Sequence, residues 1–507
     1  MLDLKNRTSL SFAAAALGLL VLLSGCHVGP SYHAPAPPAV TAPNYKESTV
    51  NFHDAGGWKA ASPQDAMLRG NWWEVFNDSD LNALEEQLNI NNENLKEYFQ
   101  NYMAARAVIA EARAQYWPTI TGSPAWNRSR TSSNQRVSST ATTGTTSSLW
   151  TLPMDVSWTP DFWQKIRNEV RTETYAAQVS AADLQVEKLT EQASLAEYYF
   201  EIRGQDMLQQ ILDDTVAADQ KSLDYNQAQY DTGVGDYISV AEAKTTLEAA
   251  QSTAINVGLL RAQYEHAIAM LLGRMPSDFS IPVKATIYAP PPIPTGVPSQ
   301  LVERRPDIAA AERTLAEANA TIGIGYGAFF PQVTISADAG FESATLKHLF
   351  DWPSRIWSLG PAASQTIFNG WLYRTELHQY VAVYNADLAN YRQVTLTAFQ
   401  QVEDYLAATR IYSQQIIRQQ QAVKDAQDYL SLELVRYNTG VDPYVDVVIA
   451  QTTLLNNRET LNTLQVAEMV SSVQLVQALG GGWDRTQLPT AEQAGAKTSN
   501  ADYKLLQ

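Results

Sequence analysis

Cysteine occurs once in this chain, at position 26, so no disulfide can form within it. Histidine is scarce, and its six copies (27, 33, 53, 266, 348 and 378) show none of the spacings that hold zinc. Basic charge is deficient: 36 Lys and Arg stand against 53 Asp and Glu, a formal net charge of -17. That argues against a nucleic-acid partner, which requires a basic surface against its phosphates. After residue 26 no apolar run reaches the ~20 residues of a membrane helix, so if this chain is an integral membrane protein it must cross as β-strands. P-loops and nucleophile elbows are also missing. Gly323-Ile324-Gly325-Tyr326-Gly327 echoes a dinucleotide loop but follows a helical pattern, not a strand. Arg304 and Arg305 suggest an anion site, yet Pro306 and Asp307 suit the first turn of a helix. The carboxylates are scattered along helical stretches as solvated faces. No catalytic residue, metal or cofactor is expected, and the chain does not read as an enzyme.

What is present is apolar enough for a packed core, with 45% hydrophobic and 18% charged residues. Lys5 and Arg7 precede a 12-residue apolar run, Phe12–Leu23, that ends at Leu23-Ser24-Gly25-Cys26. This reads as a secretory signal over 1–25. Small residues before the lone cysteine resemble a lipoprotein processing site, with Cys26 as the acylated first mature residue.

An internal repeat with a period of roughly 207 residues is the most informative feature. Tyr230-Asp231-Thr232-Gly233-Val234 recurs as Tyr437-Asn438-Thr439-Gly440-Val441, Leu271-Leu272-Gly273 as Ala478-Leu479-Gly480, and Tyr116-Trp117-Pro118 as Phe329-Phe330-Pro331. Phe162 and Arg167 likewise match Phe368 and Arg374. Each half predicts a helix, two strands, one very long helix, a tight turn and a returning helix. Val179, Ala182, Val186, Leu189, Ala193, Ala196 and Phe200 form a heptad seam, as do Tyr384, Leu388, Tyr391, Thr395, Ala398, Val402 and Tyr405. Uninterrupted helix from about Asp161 to Asp231 would extend roughly 105 Å. Alanine on these seams allows close approach, so such helices can be laid side by side into a wall.

The strands alternate. Trp150, Leu152, Met154, Val156 and Trp158 share one face, opposed by Thr151, Asp155 and Ser157. Val333, Ile335, Ala337, Ala339 and Phe341 oppose Thr334, Ser336 and Asp338, and weaker versions occur near 118–126 and 356–367. A half-buried soluble sheet alternates too, but Trp117, Trp126, Trp150, Trp158, Trp352 and Trp357 cluster at strand ends, as interfacial girdles do. Four strands cannot close a membrane barrel, and an open edge in lipid is prohibitive, so the chain must oligomerise. Two, three or four copies would give eight, twelve or sixteen strands, and strand counting does not choose. Residues 129–148, rich in Ser, Thr and Gly, read as a solvated extracellular loop. The organisation expected is a signal (1–25), an N-terminal anchor and equatorial segment (26–78), a first repeat (79–288), a Pro-rich linker (289–300), a second repeat (301–482) and a polar, partly disordered tail (483–507).

Several motifs closely resemble the TolC-like outer-membrane factors, in particular the NodT-type efflux lipoproteins. They are Cys26-His27-Val28-Gly29-Pro30, Trp73 with Phe76, Leu301-Val302-Glu303-Arg304-Arg305-Pro306-Asp307-Ile308, Phe329-Phe330-Pro331, and Leu479-Gly480-Gly481-Gly482-Trp483. The resemblance implies a mixed, mostly α fold in a homotrimer, with a twelve-stranded transmembrane β-barrel continuous with a coiled-coil periplasmic tunnel. It implies a periplasmic adaptor, an inner-membrane RND-type pump and outer-membrane lipid as partners. The implied role is the passive exit duct of an efflux pump; the alternatives are a type I secretion duct for proteins, or a structural helical lipoprotein without a pore. The turns at Gly233-Val234 and Gly440-Val441 are expected as adaptor-docking tips, since glycine permits the reversal and valine offers an apolar knob. The periplasmic gate is expected at Asp442, Val445 and Asp446, braced by Tyr230 and Tyr437. By resemblance Val445 takes the place of an apolar constriction and Asp446 that of a gate aspartate, whereas Ile449 stands where relatives commonly have aspartate.

Overall fold

Proline is absent from the two stretches that become the longest helices, so nothing in them interrupts the backbone ladder. The computed structural model describes residues 28–36, 45–47, 70–132, 144, 146–293 and 301–496. In chain order they form α1 (Ser79–Asn91), α2 (Glu93–Ala114), β1 (Thr119–Gly122), β2 (Ala125–Arg130), β3 (Thr146–Trp158), α3 (Lys165–Asp231), α4 (Tyr237–Leu271), α5 (Pro306–Gly327), β4 (Gln332–Ser343), β5 (Arg355–Ser364), α6 (Leu372–Asn438) and α7 (Tyr444–Ala478). The apolar leader, Cys26, most of the Ser/Thr-rich loop and parts of both Pro-rich stretches lie outside the described residues. Helices α2 and α5 have 22 residues each, α3 and α6 have 67, and α4 and α7 have 35. At 1.5 Å per residue the longest pair extend about 100 Å. No helix among the described residues is long and apolar enough to cross a membrane.

Helix α3 starts at Lys165, four residues later than the sequence suggests, because Asp161 acts as a remote cap. Its carboxylate accepts from the amides of Ile166 (3.1 Å) and Arg167 (2.8 Å), while Gln164 takes a left-handed conformation. The expected first strand is interrupted as well. β1 and β2 both pair with β3, and their register is continuous across the gap from Thr119↔Ser157 to Arg130↔Thr146. Pro124 and Pro153 carry no amide hydrogen there, so the ladder lapses without shifting. The sheet is therefore four strands wide, with β1 and β2 at one edge and β5 at the other.

Register sorts the faces. Ile120, Val156, Ala337 and Leu359 lie side by side, and so do Met154, Ala339 and Trp357. The intervening row, Thr121, Asp155, Asp338 and Ser358, is polar. The apolar face is uncovered: Ile120 is 60% exposed, Leu359 67% and Trp357 79%.

Away from the sheet, α3 packs against α2, α5, α4 and α7, and α6 against α5 and α7. The main core sits where these converge, around Trp72, Trp73, Leu81, Leu88, Leu195, Tyr199, Ile202, Val473 and Val476. Beside it Asp206, fully buried, receives Arg203 (3.1 Å), Arg261 (2.7 Å) and the Lys284 amide (2.9 Å). The two guanidiniums also donate to the carbonyls of Pro282 (2.8 Å) and Ile281 (2.7 Å), which fastens the segment after α4 to α3.

Both ends of the described chain are strapped to this body. Gly29 lies against Gly323, where a Cβ would stand 2.7 Å from the Gly323 Cα, Pro30 O accepts from Asn319 (3.2 Å), and Tyr32 donates to Glu312 (2.5 Å). The glycines at 323–327 thus lie inside α5, correcting their placement after a helix, and Gly323 admits the strap. The tail after Trp483, expected partly disordered, is folded as far as Ala496. Arg106 and Arg113 hold the carbonyls of Ala494 and Gly495, and Ala494 is buried with Ile109 and Ala177. Tertiary contacts of this kind leave no periodicity in the tail itself.

Breaking the buried charge knot leaves an uncompensated ion, so Asp206→Ala is expected to destabilise the fold by about 3–5 kcal/mol. Thermal denaturation of the purified protein measures this; a loss below about 1 kcal/mol, the level of exposed ion pairs, contradicts it.

Candidate functional site: the distal helical turns

The end of the molecule remote from the sheet consists of two turns, α3 to α4 and α6 to α7. Both close in the same way. Gly233 (φ 75°) donates to Tyr230 O (2.9 Å) while Val234 donates to Gln229 O (3.0 Å); Gly440 (φ 72°) donates to Tyr437 O (2.9 Å) while Val441 donates to Arg436 O (3.0 Å). This is the Schellman arrangement, which needs a left-handed residue after the helix end. Each valine is lifted into solvent, Val234 being 80% and Val441 62% exposed.

Beyond the glycines the turns differ. Asp236 caps α4 by accepting from the Ser239 amide (2.8 Å), and these bonds hold its carboxyl below the usual range. Its counterpart, Pro443, offers no side-chain cap to α7. Asp442 does not cap α7 either: Arg436 binds both its oxygens, one at 2.8 Å, and that bond keeps the Asp442 carboxyl low. One acidic group of the expected gate is therefore already neutralised. Glu433, on the helix before it, has its carboxyl pushed up, first by desolvation and then by Asp442. Asp446 lies one turn after Asp442, and Val445 and Ile449, 42% and 51% exposed, form an apolar stripe on the same helix.

The tyrosines brace neighbouring helices. Tyr230 packs on Tyr237 across its own turn (5.6 Å between rings). Tyr437 reaches from α6 to α3, donating to Asn226 (2.5 Å) with Gln229 at 3.1 Å, and its ring meets Tyr225 and Tyr444. Tyr444, Val447 and Ala243 form a small buried cluster behind it. Sequence reasoning missed Asn226, Arg436 and Tyr444. Only Tyr444 left a signal, as the repeat partner of Tyr237.

Behind this cluster lies Asp219 of α3, 2% exposed, with Oδ2 unpartnered among the described residues. Burial pushes its carboxyl up to about 6. It also adds to the burial that lifts Tyr444 to about 12. Nothing near these turns resembles a catalytic or metal centre, and among the described residues no cluster of His, Cys, Asp or Glu fits a metal ion.

An uncovered, tryptophan-rich antiparallel sheet joined to 100 Å helices defines a class of outer-membrane channel. Comparison with known proteins agrees. The family model described as outer membrane efflux protein matches residues 84–274 and 297–481, and the chain belongs to that family. It is 29% identical to the antibiotic efflux pump outer membrane protein ArpC of Pseudomonas putida, covering 97% of this chain and 99% of that one. It is 28% identical to the cation efflux system protein CusC of Escherichia coli, covering 91% and 97%. Among solved structures, the outer-membrane channel OprN superposes with a TM-score of 0.79 at 25% identity, over 90% of this chain and all of that one. The protein is thus an outer-membrane efflux component and not an enzyme.

Because the folded-state pKa of Asp219 lies above the ordinary carboxylate value of about 4, the packed distal end is favoured while Asp219 is protonated. That advantage fades as pH rises from about 4 to about 6. Amide exchange over residues 444–450, corrected for intrinsic rate, is expected to be faster at pH 7.5 than at pH 5, and Asp219→Asn to abolish the difference. An unchanged pH response in that variant contradicts the assignment.

Proposed function

We propose that three copies of this chain close a twelve-stranded barrel and a tunnel of long helices, forming the exit duct of a tripartite RND-type pump. The observation that carries this reading is the four-strand sheet, with two open edges and an uncovered apolar face. Lipid tolerates neither an unpaired edge nor an incomplete barrel, and twelve is one of the strand numbers that closes. Exposed Ile255 and Leu259 on α4, and Ile417, Leu432 and Val435 on α6, suit contacts between subunits along the tunnel. The matched lengths of α2 and α5, α3 and α6, and α4 and α7 support two copies of one ancestral unit, 79–288 and 301–482. The relatives' names mention antibiotics, toluene and cations, so the cargo class is small solutes, with the energy supplied by the inner-membrane pump. Cys26 is assigned as the acylated residue, and an intact mass of the mature protein without acyl groups rejects that.

The turns at Gly233-Val234 and Gly440-Val441 are proposed to dock the periplasmic adaptor, because their valines are apolar and exposed. Val234→Asp with Val441→Asp is expected to abolish efflux while trimer yield stays normal; undiminished drug resistance counts against docking there. The gate is proposed at Val445 and Asp446, with Asp442 held by Arg436 and the tyrosines Tyr230 and Tyr437 bracing it. Three Asp446 carboxylates around an axis, about 8 Å apart, would repel by roughly 2 kcal/mol per pair at an effective dielectric near 20, and would therefore attract cations. In planar bilayers Val445→Ala is expected to raise resting conductance and Asp446→Ala to weaken block by multivalent cations. Wild-type behaviour in both variants removes the gate from this position, and absence of any discrete conductance from intact trimers removes the duct.

A further inference from the structure

The sheet's apolar face does not remain apolar to its end. Opposed residues share a face, so Arg128 (opposite Ser148) and Arg130 (opposite Thr146) continue the same face as the Trp126–Trp150 pair. Arg355, opposite Phe341, continues the face that carries Trp357. Each arginine stands at the loop end of its strand: Arg130 closes β2 and Arg355 opens β5. All three are exposed, and among the described residues no carboxylate lies within ion-pair distance of any of them. Lys347 is exposed in the β4–β5 connection between Leu346 and Phe350, which are 56% and 69% exposed. The one nearby carboxylate of that connection, Asp351, is engaged with His348 (2.7 Å).

Between these cations and the opposite strand ends, the same face carries only uncharged residues, from Trp158 and Ile335 to Trp150. That stretch of β3, nine residues and eight rises, is about 27 Å along the strand and roughly 20 Å once tilted as barrel strands are. It approaches the ~25 Å apolar band of such barrels, with tryptophans at its limits. A guanidinium immediately beyond such a band lies at headgroup depth, and arginine is the side chain that grips phosphate through paired N–H donors. In a chain with a net charge of -17, three arginines with no carboxylate partner on a lipid-facing surface, Arg355 steadied by its bond to the Trp352 carbonyl (3.0 Å) and by stacking on that ring, fit an anionic partner by charge complementarity.

We infer that Arg128, Arg130 and Arg355 form a rim that binds the phosphates of the outer leaflet's glycolipid, lipopolysaccharide. The inference rests on the barrel reading above, because that reading turns this face outward and sends the loop ends to the cell exterior. Repeated three times around a barrel, the rim would hold a ring of headgroups whose phosphates are bridged from neighbouring strands. Leu346 and Phe350 would enter the acyl region beside them.

The test uses the intact trimer, delipidated and challenged with lipid A, with lipid A stripped of its phosphates, and with phosphatidylglycerol; bound lipid is counted by native mass spectrometry. Wild type is expected to retain lipid A well above the other two. Each of Arg128→Gln, Arg130→Gln and Arg355→Gln should weaken retention roughly fivefold, and the corresponding lysine variants should restore part of it. Equal retention of the dephosphorylated lipid overturns the rim, and equal retention of phosphatidylglycerol overturns lipopolysaccharide as its partner. Single-channel conductance of the same samples separates the two readings. Normal conductance with no lipid preference rejects the rim alone, whereas no conductance in wild type rejects the barrel. If a glutamine variant fails to assemble, the comparison of the three lipids on wild type still decides.

Discussion

A backbone amide at the edge of a sheet has to find a partner before it can enter lipid, and the sheet of this protein has two such edges. One edge is β5 and the other is the broken strand β1–β2. In the proposed trimer, closure would govern the rest of the chain: strand ends that meet a neighbour would deliver the following helices to adjacent positions, and the helical wall would inherit the sheet's geometry. The left-handed residues Gln164 and Trp371, each immediately before a long helix, are the corners where that change of direction is made.

Helices about 100 Å long draw most of their stability in a protein from tertiary packing rather than from propensity. Here the support runs from the sheet end of α3 to just past its midpoint: the N-terminal strap meets Tyr175, the C-terminal turn Ala177, the tryptophan-rich core Leu195, Tyr199 and Ile202, and the charge knot is at Asp206. The distal ends are held more sparsely, by the cluster around Tyr444 and by Tyr437 on Asn226. The proposed gate falls in this more sparsely held end, where local opening costs least.

Much of this was legible before the structure. Alternation assigned the sheet's two faces correctly because a strand's side chains have a period of two whatever the neighbours are. The α6 seam is buried at Tyr391, Thr395, Ala398 and Val402 as its heptads suggest. The seam on α3 was only half the truth: Gln192, Leu195, Tyr199 and Ile202 are buried on another side, against α1 and the Trp72 segment. A helix enclosed from several directions blurs its own stripe. The distal turns were found from glycine and the repeat, since the αL position leaves a local mark. The Arg436–Asp442 pair, the buried Asp219 and the docked tail were not found, because each depends on residues brought together by tertiary contact, and a carboxylate on a long helix looks solvated until its neighbours are known.

The attachment of the tail has a consequence for spectroscopy. Ala494 rests beside Ala177, and the helix from Ala177 to its end at Asp231 is about 80 Å long. A donor dye on Gln493 and an acceptor on Val234 would be too far apart in one subunit for efficient resonance transfer. Parallel neighbours in one membrane keep the same axial offset, so any transfer would report a tail or a helix that has left this arrangement.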